Sequence, residues 1–359
     1  MRTDDGIAAI PVPGAQFLVE IREQPSAVLR LLEHEDEFAR VAAAAVARGA
    51  STVRMVGHGS SDNASSFGVY AFGLLPHWTA LRDSIALTVY YGADLDLRGS
   101  LVLGLSQSGR TPDVVEYVDR ARRGGAFTVA ITNDPSSDLA TAAEAVLPLG
   151  AGPERAVAAT KTYVNQLAAL GLLAAYAAGE GPRFADGLRA TADQLAALIP
   201  ALEPRVPPIA APFAYVGRMF VVGRGAELAT AREIALKLLE TCRVAAEPLT
   251  ATGLAHGPVA ALDAMFPVWV IASHDPALPA VVDAAERTLA AGAVLLASGS
   301  AAETLPGVEY ALPVPRARSA LHAPLLSIVP GQLFAAALAR ARGLDADHPR
   351  GLTKVTLAR

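Results

Sequence analysis

The sequence predicts an α/β chain made of two copies of one three-layer unit, each a parallel sheet flanked by helices. Three observations carry that expectation. Short apolar runs alternate with helical patterns along the 359 residues, as parallel strands joined by crossover helices do. Two stretches match: Arg54-Met55-Val56-Gly57-His58-Gly59 and Met219-Phe220-Val221-Val222-Gly223-Arg224-Gly225 each read as a strand, then G-x-G, then a helix. Between them Pro200, Pro204, Pro207, Pro208 and Pro212 form a proline-rich stretch that reads as a linker. The boundary is expected between about 180 and 212. It divides the chain into residues 1–185, residues 186–345 and a tail, 346–359.

The elements follow in order. Residues 19–48 read as two helices, the first interrupted at Pro25, the second running from Glu35 to Ala47 and stopped by Gly49. Residues 52–56 are a strand. Residues 63–74 are a helix of small side chains, suited to close packing on the sheet or on a second copy. Strands are expected at 85–90 and 101–105. Thr111 then reads as an N-cap, with Pro112 at the first helical position and Asp113 in the first turn. Val114, Val115 and Val118 follow at helical spacing, and Gly124-Gly125 ends the helix. Strands at 127–132 and 145–149 complete the first unit. A long apolar helix is led by Ala159-Thr160-Lys161 and runs to about Tyr176; another covers about 184–199. In the second unit the strand at 219–223 and its helix precede strands at 268–272 and 294–297. A helix at 277–290 lies between these two, residues 247–258 read as an irregular loop, and a last helix covers 333–342.

Composition excludes several classes. Apolar residues make up 52% and charged residues 18%, which is a globular balance. A net charge of −5 with no basic stripe argues against nucleic acid as the main partner. The single cysteine, Cys242, leaves no intramolecular disulfide and no cysteine-rich metal site. No secretory signal is visible, and no run of 18 apolar residues is free of charge and proline, so a soluble cytoplasmic protein away from membranes is expected. Neither G-x-G extends to G-x-G-x-x-G, because Asp62 and Leu228 stand at the last position; a dinucleotide fingerprint is absent.

Candidate chemistry begins at Ser106-Gln107-Ser108-Gly109-Arg110-Thr111, a strand-to-helix turn. Hydroxyls, an amide and a helix N-terminus converge there. The residues alone leave two readings, a phosphate cradle or a hydroxyl-rich loop that caps its own helix. Glu233, Lys237 and Glu240 fall at i, i+4 and i+7 on one helix face. They form either a solvated stripe or, at Glu240 in particular, a proton-shuttling base facing a cleft. His256 precedes Gly257-Pro258 and has no second histidine at metal-ligand spacing, so a zinc site is not expected; a surface or capping role is its plain alternative. Lys354, in the tail Asp347-His348-Pro349-Arg350-Gly351-Leu352-Thr353-Lys354, is an exposed charge or an amine that reaches a carbonyl.

Taken together, G-S-S (59–61), S-Q-S-G-x-T (106–111), V-A-A-T-K (157–161), E-x-A-L-K-L-x-E (233–240), H-G-P (256–258) and H-P-R-G-L-T-K (348–354) resemble the two-domain sugar isomerase (SIS) family. The resemblance is to the isomerase half of glutamine:fructose-6-phosphate aminotransferases and to free-standing glucosamine-6-phosphate deaminases. It implies two tandem SIS domains and a homodimer. It also implies a phosphate cradle of Ser61, Ser106, Gln107, Ser108 and Thr111, with Ser60, Val157 and Ala159 near the sugar. Glu240 would move a proton between carbon one and carbon two. His256 would open the ring across a dimer interface, Lys354 would form a Schiff base with a ketose, and Lys237 would assist near the open-chain hydroxyls.

The implied reaction needs no metal or redox cofactor: glucosamine 6-phosphate gives fructose 6-phosphate and ammonia. A deglycase, a ketose/aldose phosphate isomerase and a non-catalytic phosphosugar sensor are the alternatives. Two departures bear on the sugar: Ala159 stands where the synthase has a serine, and Thr353 is bulkier than the usual residue before the lysine. Arg2 stands where a glutaminase needs its cysteine nucleophile, so no glutaminase is expected.

Overall fold

The computed structural model describes residues 13–354. Three helices come first, α1 (Ala15–Arg22), α2 (Gln24–Leu32) and α3 (Glu35–Ala47). Pro25 sits in the first turn of α2, where a missing N–H costs nothing. The first sheet is built from β1 (Thr52–Val56), α4 (Ser60–Leu74), β2 (Thr79–Arg82), α5 (Ile85–Val89), β3 (Ser100–Ser106), α6 (Pro112–Arg123), β4 (Phe127–Thr132), α7 (Asp138–Ala142) and β5 (Ala145–Pro148). Its strands are all parallel, in the order β2-β1-β3-β4-β5. Helices α8 (Lys161–Ala177), α9 (Gly181–Leu202) and α10 (Val206–Ala210) lead to the second half.

That half contains β6 (Arg218–Gly223), α11 (Glu227–Cys242), β7 (Ala245–Thr250), α12 (Ala251–Ala255), β8 (Pro267–Ile271), α13 (Leu278–Ala290), β9 (Val294–Gly299), β10 (Tyr310–Pro313) and α14 (Ala323–Ala341). Its parallel sheet runs β10-β9-β8-β6-β7, so β6 occupies the place of β1 and β8 the place of β3. The expected pair of α/β units is present. One continuous apolar core, taking in Leu103 and Leu167 on one side and Val221 and Trp269 on the other, joins them.

Several expectations are corrected. Residues 85–90 are not a strand: Ser84 Oγ accepts from Leu87 N at 3.4 Å and starts the short helix α5. The edge strand is β2 instead, and its largely exposed Thr-Ala-Leu-Arg lacks the apolar run that marks a buried strand. The prolines after 199 do not form a linker. Pro200 lies inside α9, Pro207 and Pro208 occupy the first turn of α10, and Val206, Ala210 and Phe213 are buried. Residues 245–250 are a strand rather than loop, and β10 had no sequence signal. The last helix begins at Ala323, ten residues early, with Pro330 buried inside it. Helix α14 is long and apolar enough to span a membrane, but 83% of that stretch is buried inside the protein, where it packs against α11.

Three hydrogen bonds tie the start of α1 to the segment after α14. Asp345 Oδ1 accepts from Gly14 N at 3.1 Å, Asp347 Oδ2 from Gln16 N at 3.1 Å and Asp347 Oδ1 from Phe17 N at 2.6 Å.

Candidate functional site

The chain leaves β1 toward β2 on one side and enters β3 on the other, so the carboxyl ends of β1 and β3 flank a topological switch point. Ligands of open α/β sheets bind in such crevices. A cavity of about 540 Å³ opens there. Its walls come from the turn after β1, the turn after β3, the segment before α8, Glu240 of α11 and Lys354. Gly57 permits the close approach of the first two walls, since a Cβ there would lie 2.8 Å from Ser61 Cβ and 2.9 Å from Leu105 O.

The turn after β3 is organised around its hydroxyls. Ser106 Oγ accepts from Gly109 N and lies 3.1 Å from Thr111 Oγ1, and Ser108 Oγ accepts from Arg110 N at 3.3 Å. Gly109 has φ +64°, and any Cβ would collide with the Ser137 side chain. Thr111 holds the N-cap position of α6 but makes no capping bond; its hydroxyl turns across to Ser106. The self-capping reading therefore fails, and the start of α6 is left open toward the cavity. Ser61 completes this wall and accepts from Gln166 Nε2 at 2.8 Å.

Helix α11 crosses from the second half and packs on α4. Glu233 and Lys237 are fully buried, which removes the solvated-stripe reading. Lys237 Nζ lies 3.3 Å from Glu233 Oε1, 2.6 Å from Glu240 Oε2 and 3.3 Å from Ser60 Oγ. Glu233 also accepts from Ser60 Oγ at 2.8 Å and Asn63 Nδ2 at 2.9 Å. Burial pushes the Glu233 carboxyl above the usual range despite the Lys237 ammonium beside it. Burial works against the Lys237 charge, yet Glu233 and Glu240 outweigh it and raise its pKa. One ammonium thus holds two carboxylates, and only Glu240 reaches the cavity wall.

Lys354 also reaches the wall. Its amine donates to Glu154 Oε2 at 2.8 Å and Ala156 O at 2.7 Å, whereas Lys237 lies outside the lining. Lys354 is thus paired with a carboxylate, which removes the reading of a free, exposed charge. Glu154 is fully buried and further accepts from Thr160 N, Thr162 N and Thr162 Oγ1. Burial would raise the Glu154 carboxyl, but Lys354 and these donors win and hold it below the usual range. Val157 and Ala159 lie on the same wall.

His256 follows α12, is exposed, and does not line this cavity. The histidine that does is His58, whose Nε2 is 2.8 Å from Asp113 Oδ2. His58, Asp113 and Glu154 are the residues that sequence reasoning missed. His58 sat in the repeated G-x-G, Asp113 read only as a first-turn acid, and Glu154 fell between the expected strand at 145–149 and the long helix led by Ala159, with no motif to mark it. Among the described residues no group of three or more His, Cys, Asp or Glu is placed to hold a metal.

The SIS domain family matches residues 47–176. A glutamine–fructose-6-phosphate aminotransferase of Mycolicibacterium smegmatis is 36% identical over 362 residues, covering 94% of this chain and 56% of that protein. The chain thus spans a little over half the length of the curated relatives it matches. A solved candidate phosphosugar isomerase from Silicibacter pomeroyi DSS-3 is 36% identical, with a TM-score of 0.82 over 94% of this chain and 100% of its own. The C-terminal domain of glucosamine-fructose-6-phosphate aminotransferase from Francisella tularensis shares the fold at 23% identity, with a TM-score of 0.85 over 97% and 100% of the two chains.

Proposed function

Because this chain belongs to the SIS-domain family and is homologous to the isomerase half of glutamine–fructose-6-phosphate aminotransferases, we propose that it is an enzyme that isomerises a phosphosugar. The observation that carries the reading is one cavity walled by an anion cradle, a carboxylate held by a buried ammonium, and a lysine amine. The finer assignment is deamination with isomerisation: glucosamine 6-phosphate and water give fructose 6-phosphate and ammonia.

In this scheme the Ser106–Thr111 turn and Ser61 hold the phosphate, and Ser60 faces the sugar. After ring opening, Glu240 takes the proton from carbon two and returns it at carbon one, turning the aldehyde and amine into a ketone-level imine. Lys237 pairs with Glu240 and aims it. Water then cleaves the carbon–nitrogen bond, directly or after Lys354 has displaced ammonia as a lysyl imine. Lys354 must first leave Glu154 and shed its proton. The tail and the two units, divided near residue 185, form one catalytic body in the cytoplasm, and the active species is a homodimer in which His256 of a second copy performs the ring opening.

A smaller cavity of about 200 Å³ adjoins Lys354 and is walled by Gln107, Ser108, Arg110, Asn133 and Asp134. It favours a second reading in which the amine released is larger than ammonia, as a deglycase requires. A panel of 2-amino, N-substituted 2-amino and 2-keto hexose 6-phosphates, assayed for ammonia, amine and sugar products, separates these. Ammonia from the unsubstituted aminosugar alone is the expected result. Tight binding of every member without turnover would leave only a phosphosugar sensor. Sharing of the site is tested by mixing Glu240→Gln with His256→Ala, each inactive alone. Partial recovery is expected after subunit exchange, up to about a quarter of wild-type activity if half the dimers are mixed and each has one intact site. No recovery overturns the homodimer assignment.

A further inference from the structure

The cradle has a deficit of charge. Its donors are hydroxyls, an amide and the start of α6, which is worth only about half a positive charge. Among the described residues the cavity walls carry the carboxyls of Asp113, Glu154 and Glu240 against the single ammonium of Lys354, and that ammonium is bonded to Glu154. A phosphate monoester approaches two negative charges at neutral pH, its second pKa being about 6. Removing such an anion from water without a countercharge is costly. Among the described residues of these walls, the one group that can gain a full charge near neutral pH by its nature is an imidazole, and His58 provides it.

We propose that His58 is the countercharge of the phosphate cradle: binding of the phosphate dianion is coupled to protonation of the His58 ring, which Asp113 holds in place. Three features support this. His58 stands in the turn between β1 and α4, on the wall facing the turn after β3. Its partner Asp113 lies in the first turn of α6, the helix whose N-terminus forms the cradle. Asp113 is buried, with 6% of its surface exposed, while 56% of the His58 side chain is open.

The geometry also says where the proton goes. A carboxylate oxygen only accepts, so Nε2, the ring nitrogen 2.8 Å from Asp113 Oδ2, is the one that donates to it. The incoming proton therefore adds to Nδ1 and yields an imidazolium able to donate to a phosphate oxygen. The proton comes from the solvent, and apart from the new N–H no covalent bond forms or breaks. The other titratable groups on these walls are Tyr90 at the end of α5, Glu154 before α8, Glu240 of α11 and Lys354. Asp113 acts through the ring and is a positioning residue.

The proposal rests on the phosphosugar reading for the identity of the anion, but its test requires no turnover. Binding of a hexose 6-phosphate is measured by calorimetry at pH 7.5 in buffers of different ionisation enthalpy, which yields the protons exchanged. Wild-type protein should take up a substantial fraction of one proton. A monoester binding as the dianion releases protons, so net uptake identifies a protein group. His58→Gln should take up none and bind at least about tenfold more weakly, with its thermal unfolding unchanged. Asp113→Asn should show reduced uptake, because the ring loses its acceptor. Ser108→Ala with Thr111→Ala should weaken binding while the uptake persists. Should His58→Gln bind as tightly as wild type with the same uptake, His58 is not the countercharge, and the phosphosugar reading survives. Should the wild-type protein bind no hexose phosphate at all, the phosphosugar reading falls and this proposal falls with it.

Discussion

Replacing Lys354 by methionine together with Glu154 by glutamine should leave hexose-phosphate binding within about tenfold of wild type and cut turnover at least about a thousandfold. The paired change matters because Lys354→Met alone strands a fully buried carboxylate, which costs about 3–5 kcal/mol when a buried ion pair loses one partner. Glutamine can still accept from Thr160 N and Thr162 N, so the segment before α8 keeps its shape. What is lost is the amine. Borohydride added with a ketose phosphate should trap a covalent adduct on Lys354 in the wild type and none in the double variant. Turnover near the wild-type rate in the double variant would mean that no imine from this residue lies on the reaction path. The same pair sets a pH dependence. Glu154 has a depressed pKa in the folded protein, so its contribution to stability is present above the ordinary value of 4.5 and is lost as pH falls through the folded value. Acid unfolding should therefore shift upward in pH when Lys354 is removed.

The second large effect is expected at Lys237, where one ammonium serves two carboxylates. Lys237→Met leaves Glu233 fully buried with only Ser60 and Asn63 as donors, and should destabilise the protein by about 3–5 kcal/mol. Adding Glu233→Gln should recover most of that loss, because the uncompensated charge, rather than the cavity, is the main cost. Activity should not return with stability, since Glu240 still lacks the cation that aims it. Denaturant unfolding of the single and double variants, with turnover measured on both, separates the two effects. Recovery of both together would make Lys237 a purely structural group. Lys237 has a raised folded pKa, so its stabilisation is fully present below the unfolded value of about 10.4 and is lost only as pH rises through the folded value. Titration of Lys237 itself therefore contributes nothing to the single-variant deficit near neutral pH; the deficit should shrink as pH falls and the stranded Glu233 carboxyl takes up a proton.

What was legible in the sequence follows from what leaves a local trace. Strands β3 and β4 are buried along their whole length because parallel strands are covered on both faces, β1 is an apolar run broken by Arg54, and the limits of all three read off within a residue or two. The turn Ser106–Thr111 was legible because Pro112 and Asp113 mark the start of α6. Its hydroxyl geometry was not, since Thr111 chooses Ser106 over its own helix. Strand β2 was missed because an edge strand needs no apolar run, and α14 began early because tertiary packing overrides the penalty of Pro330. Glu233 and Lys237 share a helix face in any helix. That the face is buried follows only from α4 bringing Ser60 and Asn63 against it from 170 residues away. The pairing of Lys354 with Glu154 spans 200 residues and has no local signature at all.

The bonds from Gly14 and Phe17 to Asp345 and Asp347 impose an order on how the protein comes into being. A ribosome adds about 5–20 residues per second, so α1 leaves the exit tunnel roughly 15–70 s before the aspartates that will hold it. Over that interval Phe17 and Ile21, fully buried in the finished molecule, lack part of their cover. The delay, rather than the span, is the difficulty, because loop-closure entropy rises by only about 0.6 kcal/mol for each doubling of length. The first sheet, with the Ser106–Thr111 turn, has all its strands long before then. Glu240 arrives later and Lys354 last, so a nascent chain can possess the anion end of its cavity while the chemical end does not yet exist.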